Sequence, residues 1–150
     1  GGFNPSSLRD HDDSTYASPS INIAASSTQD LVKYDLGTTG YKFIKVKMST
    51  GASGAVAKLL ISDDDSTYTQ IAGIENSTLD AVYVASFRYV KLQAVNNTTS
   101  SMAASNYKYY TLEIYDPSTT NIREYTSKVK RLVQAYISDG CYQLLEVVNV

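Results

Sequence analysis

From Lys42 to Tyr115 apolar and polar residues alternate in short runs, and Gly, Asn, Asp and Ser gather between the runs. That is the pattern of antiparallel strands with one face in a core. In "YKFIKVKM", Ile44, Val46 and Met48 fall on one face while Lys45 and Lys47 fall on the other, as a half-buried strand requires. A Gly-rich turn follows, after which Ala57, Leu59 and Ile61 share a side. The runs "TQIAGI", "AVYVASF", "RYVKLQAV" and "YYTLEIY" come next, each bounded by polar turns. Their start-to-start spacing of about 8–12 residues is that of sandwiches and barrels. Upstream, Leu31, Val32 and Tyr34 mark a strand that ends in a turn at Gly37. Residues 1–30 are polar and irregular and are predicted to wrap the strands.

The texture changes after Asp116-Pro117. Val129, Leu132, Val133, Tyr136 and Ile137 recur at helical spacing, with Ser127 as N-cap and Gly140 as stop signal. The pair Asp139-Gly140 followed by "CYQLLEVVNV" fits a hairpin equally well, and the two readings stay open. Either way, residues 117–150 form a C-terminal extension too apolar to stand in water alone, predicted to pack on the sandwich or on a neighbouring subunit. The predicted class is therefore all-β, an antiparallel jelly-roll-like β-sandwich over residues 1–116 with that extension attached.

At 150 residues the chain fits one core. Hydrophobic content of 43% and charged content of 19% are those of a globular chain, which excludes wholesale disorder. A formal net charge of −2 supplies no basic field, so nucleic acid is not an expected partner. No apolar run approaches the roughly 20 residues of a membrane helix, and no membrane insertion is expected. Cys141 stands alone and can close no disulfide within the chain. The chain has 13 Tyr and no Trp; tyrosine buries a ring and keeps a hydroxyl for water or a partner, which suits surfaces that touch something.

The letters "DDSTY" occur twice, at Asp12–Tyr16 and Asp64–Tyr68. Asp and Ser side chains accept or donate to backbone two residues on, so both copies read as Asx-type turns that lead back into strand. In the first copy Asp10, Asp12 and Asp13 with Ser14 also offer the oxygen ligands that calcium takes, with a solvated Asx turn as the alternative reading. Asp63, Asp64 and Asp65 read as a solvated hairpin tip. His11 is the only histidine, no GxSxG elbow accompanies it, and Cys141 has nothing nearby to lower its pKa, so an enzyme is not the expected reading.

Taken in order, "LRDHDDSTYAS", "VKYDLGTTGYKFIKVKM", "LLISDDDSTYTQIA", "FRYVKLQA" and "YYTLEIY" resemble the discoidin, or coagulation-factor C-type, domain family over Leu8–Tyr115. The resemblance implies a galactose-binding-like β-sandwich whose ligand meets loops at one end. The first "DDSTY" falls in the family's Asp-Gly-Asp loop and the second in its S-x-D-G-x-x-[WY] hairpin, which makes them two different turns. His11 stands where the family prefers Gly, Tyr replaces Trp in both turns, and the disulfide of many extracellular members is absent. Those departures are similar to microbial and bacteriophage surface modules. By position the resemblance makes Arg9, Tyr16, Ser49 and Thr50 the ligand-binding candidates, with Tyr16 stacking on a sugar ring or packing over its own turn. The expected function is a non-enzymatic structural module of an extracellular or virion assembly, of the decoration, tail or appendage type. Its partners would be other protein subunits in a homo-oligomer or lattice, with contacts from residues 117–150. The alternative is a carbohydrate- or cell-surface-binding module whose partners are surface glycans.

Overall fold

The computed structural model describes residues 3–115, so the extension at 117–150, its helix-or-hairpin question and Cys141 lie outside the described residues. Five antiparallel strands follow a short 3-10 turn at Pro5–Leu8: β1 Ser27–Thr50, β2 Ala55–Ser62, β3 Thr69–Glu75, β4 Thr78–Asn96 and β5 Tyr107–Tyr115. They hydrogen-bond in the order β3-β2-β4-β1-β5. The all-β, antiparallel class read from the sequence is the one observed.

Two expected boundaries are corrected. The strand ending at Gly37 and the one beginning at Lys42 are a single 24-residue strand, and "AVYVASF" with "RYVKLQAV" is likewise one strand, β4. Gly37 does adopt a left-handed φ of 87°, but the chain makes a bulge there instead of a reversal. Pairing runs Asp35↔Tyr89 and resumes at Gly40↔Phe87, so residues 36–39 face Arg88 alone. On β4 the sequence Ser86-Phe87-Arg88 offers no residue that prefers a turn, and the strand simply continues.

The bulge is where the sheet doubles over. β2 pairs only with the Tyr89–Asn96 half of β4, and β5 only with the Phe43–Thr50 half of β1. One layer is therefore β3, β2 and the near halves of β4 and β1; the other is their far halves and β5. Direct proof comes from β5. Tyr107 Oη donates to Val95 O at 2.8 Å and Tyr109 Oη to Gln93 O at 2.6 Å. Tyr107 pairs with Thr50, while Val95 pairs with Thr28 at the opposite end of β1. In a flat sheet those two would stand about 70 Å apart at roughly 3.3 Å per residue. The hydrogen bond exists because the layers face each other.

Between them lies one apolar core, in which Ile44, Val46 and Met48 of β1 meet Ala57 and Leu59 of β2 and Val90, Leu92 and Ala94 of β4. Alternation places Lys45 and Lys47 outward as expected. Lys42 shares the inward face and is 1% exposed; its ammonium donates to Thr38 O (2.8 Å), Phe87 O (2.6 Å) and Gly40 O (3.3 Å) at the crossover. Outside the same bend, Arg88 clasps Asp35 through two bonds of 2.8 and 2.9 Å. At the opposite end, buried Asn96 donates to Ile23 O, Ala24 O and Ser100 O, which ties down both neighbouring loops. The segment before β1 is joined to β5 by the bridge Ala17↔Tyr109 and to the loop before β5 by Ile23↔Met102, whereas residues 27–30, expected in the irregular wrap, belong to β1.

Two outcomes follow from this geometry. Burial drives the Tyr107 hydroxyl up to about 12 and holds Tyr109 higher still, so both remain donors at any ordinary pH. Tyr109→Phe leaves Gln93 O, half-buried between the layers, without this donor, and urea unfolding should show a loss of about 1–3 kcal/mol. The second outcome concerns Asp35, which the Arg88 guanidinium and then the Gly37 amide hold at about 2, below the ordinary 3.8. A carboxylate depressed in the folded state stabilises above its unfolded pKa and ceases to do so as pH falls through its folded pKa. Unfolding free energy should therefore drop between pH 3.8 and about pH 2, and Asp35→Asn should flatten that part of the slope.

Candidate functional site

The segment from Arg9 to Ser18 runs along the free side of β5 as a strap. Ala17 and Tyr109 exchange both backbone hydrogen bonds, at 2.8 and 2.9 Å, and Ser18 Oγ donates to Tyr107 O at 2.6 Å. Two side-chain pairs fasten the rest: Asp13 to Lys47 at 2.7 Å and His11 Nδ1 to Glu113 at 2.9 Å. Glu113, whose side chain is 10% exposed, also accepts from Tyr115 Oη at 2.6 Å. The single histidine is thus a fastener of the strap.

The strap carries Tyr16 onto the outer face of the second layer. Its ring, 45% exposed, meets Tyr110 edge to face at 5.7 Å, while Lys108 Nζ lies 4.9 Å from the Tyr16 centroid and Lys47 Nζ 5.5 Å from that of Tyr110. Tyr16 therefore leans on β5 and not over its own turn. Ser49 pairs with Lys108 and shares this outward face. Thr50, one residue on, turns inward at 5% exposure, and its hydroxyl has no hydrogen-bond partner among the described residues. Arg9 also leaves the group, since its guanidinium covers the Tyr34 ring at 5.1 Å. Of the four binding candidates, the structure brings Tyr16 and Ser49 to one face and sends Arg9 and Thr50 elsewhere. It adds Tyr110, Lys108 and Lys47, which sequence reasoning missed because nothing local links them to Tyr16.

The twin motifs fold differently. In the first, His11 takes the left-handed conformation at φ 58°, in the place where the resembled family has Gly. Asp10 accepts from Asp12 N at 3.0 Å and from the Thr15 hydroxyl at 2.5 Å, and Asp12 accepts from Ser14 N and Oγ at 2.9 and 2.6 Å. Those Ser14 bonds hold the Asp12 carboxyl below its usual range. In the second, the left-handed residue is Asp65, at φ 60°, inside the motif. Asp64 accepts from Thr67 N, Ser66 N and the Ser62 hydroxyl, and stays well below the carboxylate range for that reason. Tyr68 donates to Asp65, which also binds Lys33 at 2.6 Å. Both copies are closed turns. For calcium the fit is poor: Asp10 and Asp12 serve their own backbone, Asp13 serves Lys47, and no three His, Cys, Asp or Glu side chains gather as a metal set among the described residues.

A shallow hollow of about 240 Å³ opens at the far end of β2, lined by Ser62, Asp63, Asp64, Thr67, Thr69, Ser86 and Ile61. Its lining holds hydroxyls and carboxylates but no ring. It is removed from Tyr16, because Ser86 pairs with Tyr41 whereas Tyr110 flanks Lys47 further along β1.

No protein-family model matches the chain, and no curated protein matches it. Among solved structures it is similar to chitosan-binding module 1 of a chitosanase/glucanase from Paenibacillus sp. IK-5, at 15% identity over 77% of this chain and 87% of that one, with a TM-score of 0.47. It is also similar to CBM32-1 from a family 31 glycoside hydrolase of Clostridium perfringens, at 17% identity over 73% and 86%, with a TM-score of 0.42. A Ruminococcus gnavus GH29 fucosidase matches at 18% identity over 74% of this chain, with a TM-score of 0.46; the chain spans 23% of that enzyme's length.

Proposed function

We propose that this chain is a non-catalytic carbohydrate-binding sandwich of the galactose-binding-like, discoidin-related type, acting at an extracellular surface. The observation that carries the reading is the Tyr16–Tyr110 pair: two rings at 5.7 Å, fixed by the strap on one side and by β5 on the other, with the Tyr16 ring still half in water. An exposed tyrosine that is already immobilised loses little freedom when a ligand arrives, and it presents both an apolar face for sugar C–H groups and a hydroxyl rim. Ser49 and Lys108 stand beside it as hydrogen-bonding groups. Nothing in this arrangement needs a metal. The assembly reading rests on residues 117–150, outside the described residues, whereas the described surface favours ligand binding.

Chitosan and fucose, the sugars named for two of the similar structures, are the first to titrate. Calorimetry should show binding to at least one of them, and Tyr16→Ala should weaken it by about tenfold or more, as for a central aromatic contact. Tyr41→Ala, which removes a ring 72% exposed elsewhere on the sheet, should leave affinity alone. A chelator should have no effect. Failure of the chain to bind any of these, or binding that survives Tyr16→Ala, would remove the proposal.

A further inference from the structure

We infer that the Tyr16–Tyr110 platform prefers sugars bearing an anionic group, a carboxylate or a sulfate ester, and that Lys108 reads that charge. The inference rests on the platform being the sugar site and adds the class of sugar. Two lysines flank the rings, and they differ in what surrounds them. Lys47 is neutralised by Asp13 at 2.7 Å, and its cross-strand partner on β4 is Asp80. That row of the sheet is balanced or slightly acidic. Lys108 has no carboxylate partner among the described residues. Its row consists of Ser49 on β1 and Thr78 on β4, and on its other side the strap presents Ala17 and Ser18.

Among the described residues the result is one uncompensated positive charge beside the exposed ring. The ammonium sits 4.9 Å from the Tyr16 centroid, where the ring's π face helps hold it in position. It is a compact charge with three donors, and a single anionic oxygen satisfies it without the bidentate geometry an arginine would favour. A sugar lying against Tyr16 brings a ring substituent within reach of this ammonium. If that substituent is neutral the lysine gains a hydrogen bond; if it is charged the lysine gains an ion pair, at a site where Asp13 is already paired with Lys47.

The test uses pairs of sugars on the same backbone with and without the anionic charge: homogalacturonan oligomers, free or fully methyl-esterified, and galactan oligomers with and without sulfate, titrated at neutral pH and low salt. The chain should bind the charged member of a pair about three- to fivefold more tightly, the gain of one solvent-exposed ion pair, and added salt should shrink the ratio. Lys108→Gln should bring the ratio to about one, and Lys108→Arg should retain it. The two charged arms tell carboxylate from sulfate. Equal affinity for both members of each pair, or a preference that survives Lys108→Gln, overturns the inference and leaves the platform standing. Binding to neither member, with none to the sugars titrated above, overturns both.

Discussion

The buried ammonium of Lys42 makes the doubled sheet workable. Where β1 and β4 pass from one layer to the other, four residues of β1 face one of β4, and backbone carbonyls lose their ladder partners. Leaving such groups unbonded in the core would cost several kcal/mol between them. Lys42 gathers Thr38 O, Gly40 O and Phe87 O onto one charge, and those same carbonyls are what permit a charge there. Arg88 and Asp35 fix the outside of the bend. Without a bend at this point β5 could not face β4, and the tyrosine hydroxyls that join the layers would have nothing to reach.

The tyrosines divide into two uses that follow from strand parity. Tyr107 and Tyr109 point inward, where each ring fills the core and each hydroxyl meets a carbonyl of the opposite layer. Tyr110 points outward across the bulge on β5 and becomes a shelf for Tyr16. Alternation along β5 thus separates a core ring from a surface ring that adjoins it in sequence, and the irregularity between Lys47 and Met48 leaves Tyr110 without a register partner on β1. The strap completes the arrangement, since it protects the β5 edge and delivers the second ring in the same stroke.

What could be read from the sequence was whatever depends on neighbours a few residues away. The alternation at Ile44, Val46 and Met48 fixed the inward face, and Asp-Ser spacing identified both turns. The errors came from signals with two physical outcomes. Gly37 permits a left-handed backbone, which serves a bulge as well as a reversal, and only pairing with β4 decides between them. Lys42 sits in phase with the core, yet a lysine there looks like a flaw in the pattern until the carbonyls around it are known. The candidate site was half legible for the same reason: Tyr16 stood out as an exposed ring in a loop, but Lys108 and Tyr110 reach it only through tertiary pairing. Thr50 and Ser49, adjacent in sequence, went to opposite faces because strand register has a period of two.

Because β1 and β4 each run unbroken through both layers, neither layer has a stability of its own. An opening that peels one half of β1 away loosens the ladder that holds the other half, so partial unfolding is confined to the margins, the β3 edge and the strap. Under tension, within a longer polypeptide, such a block would yield in a single step, and until then it would keep the Tyr16 and Tyr110 rings in place.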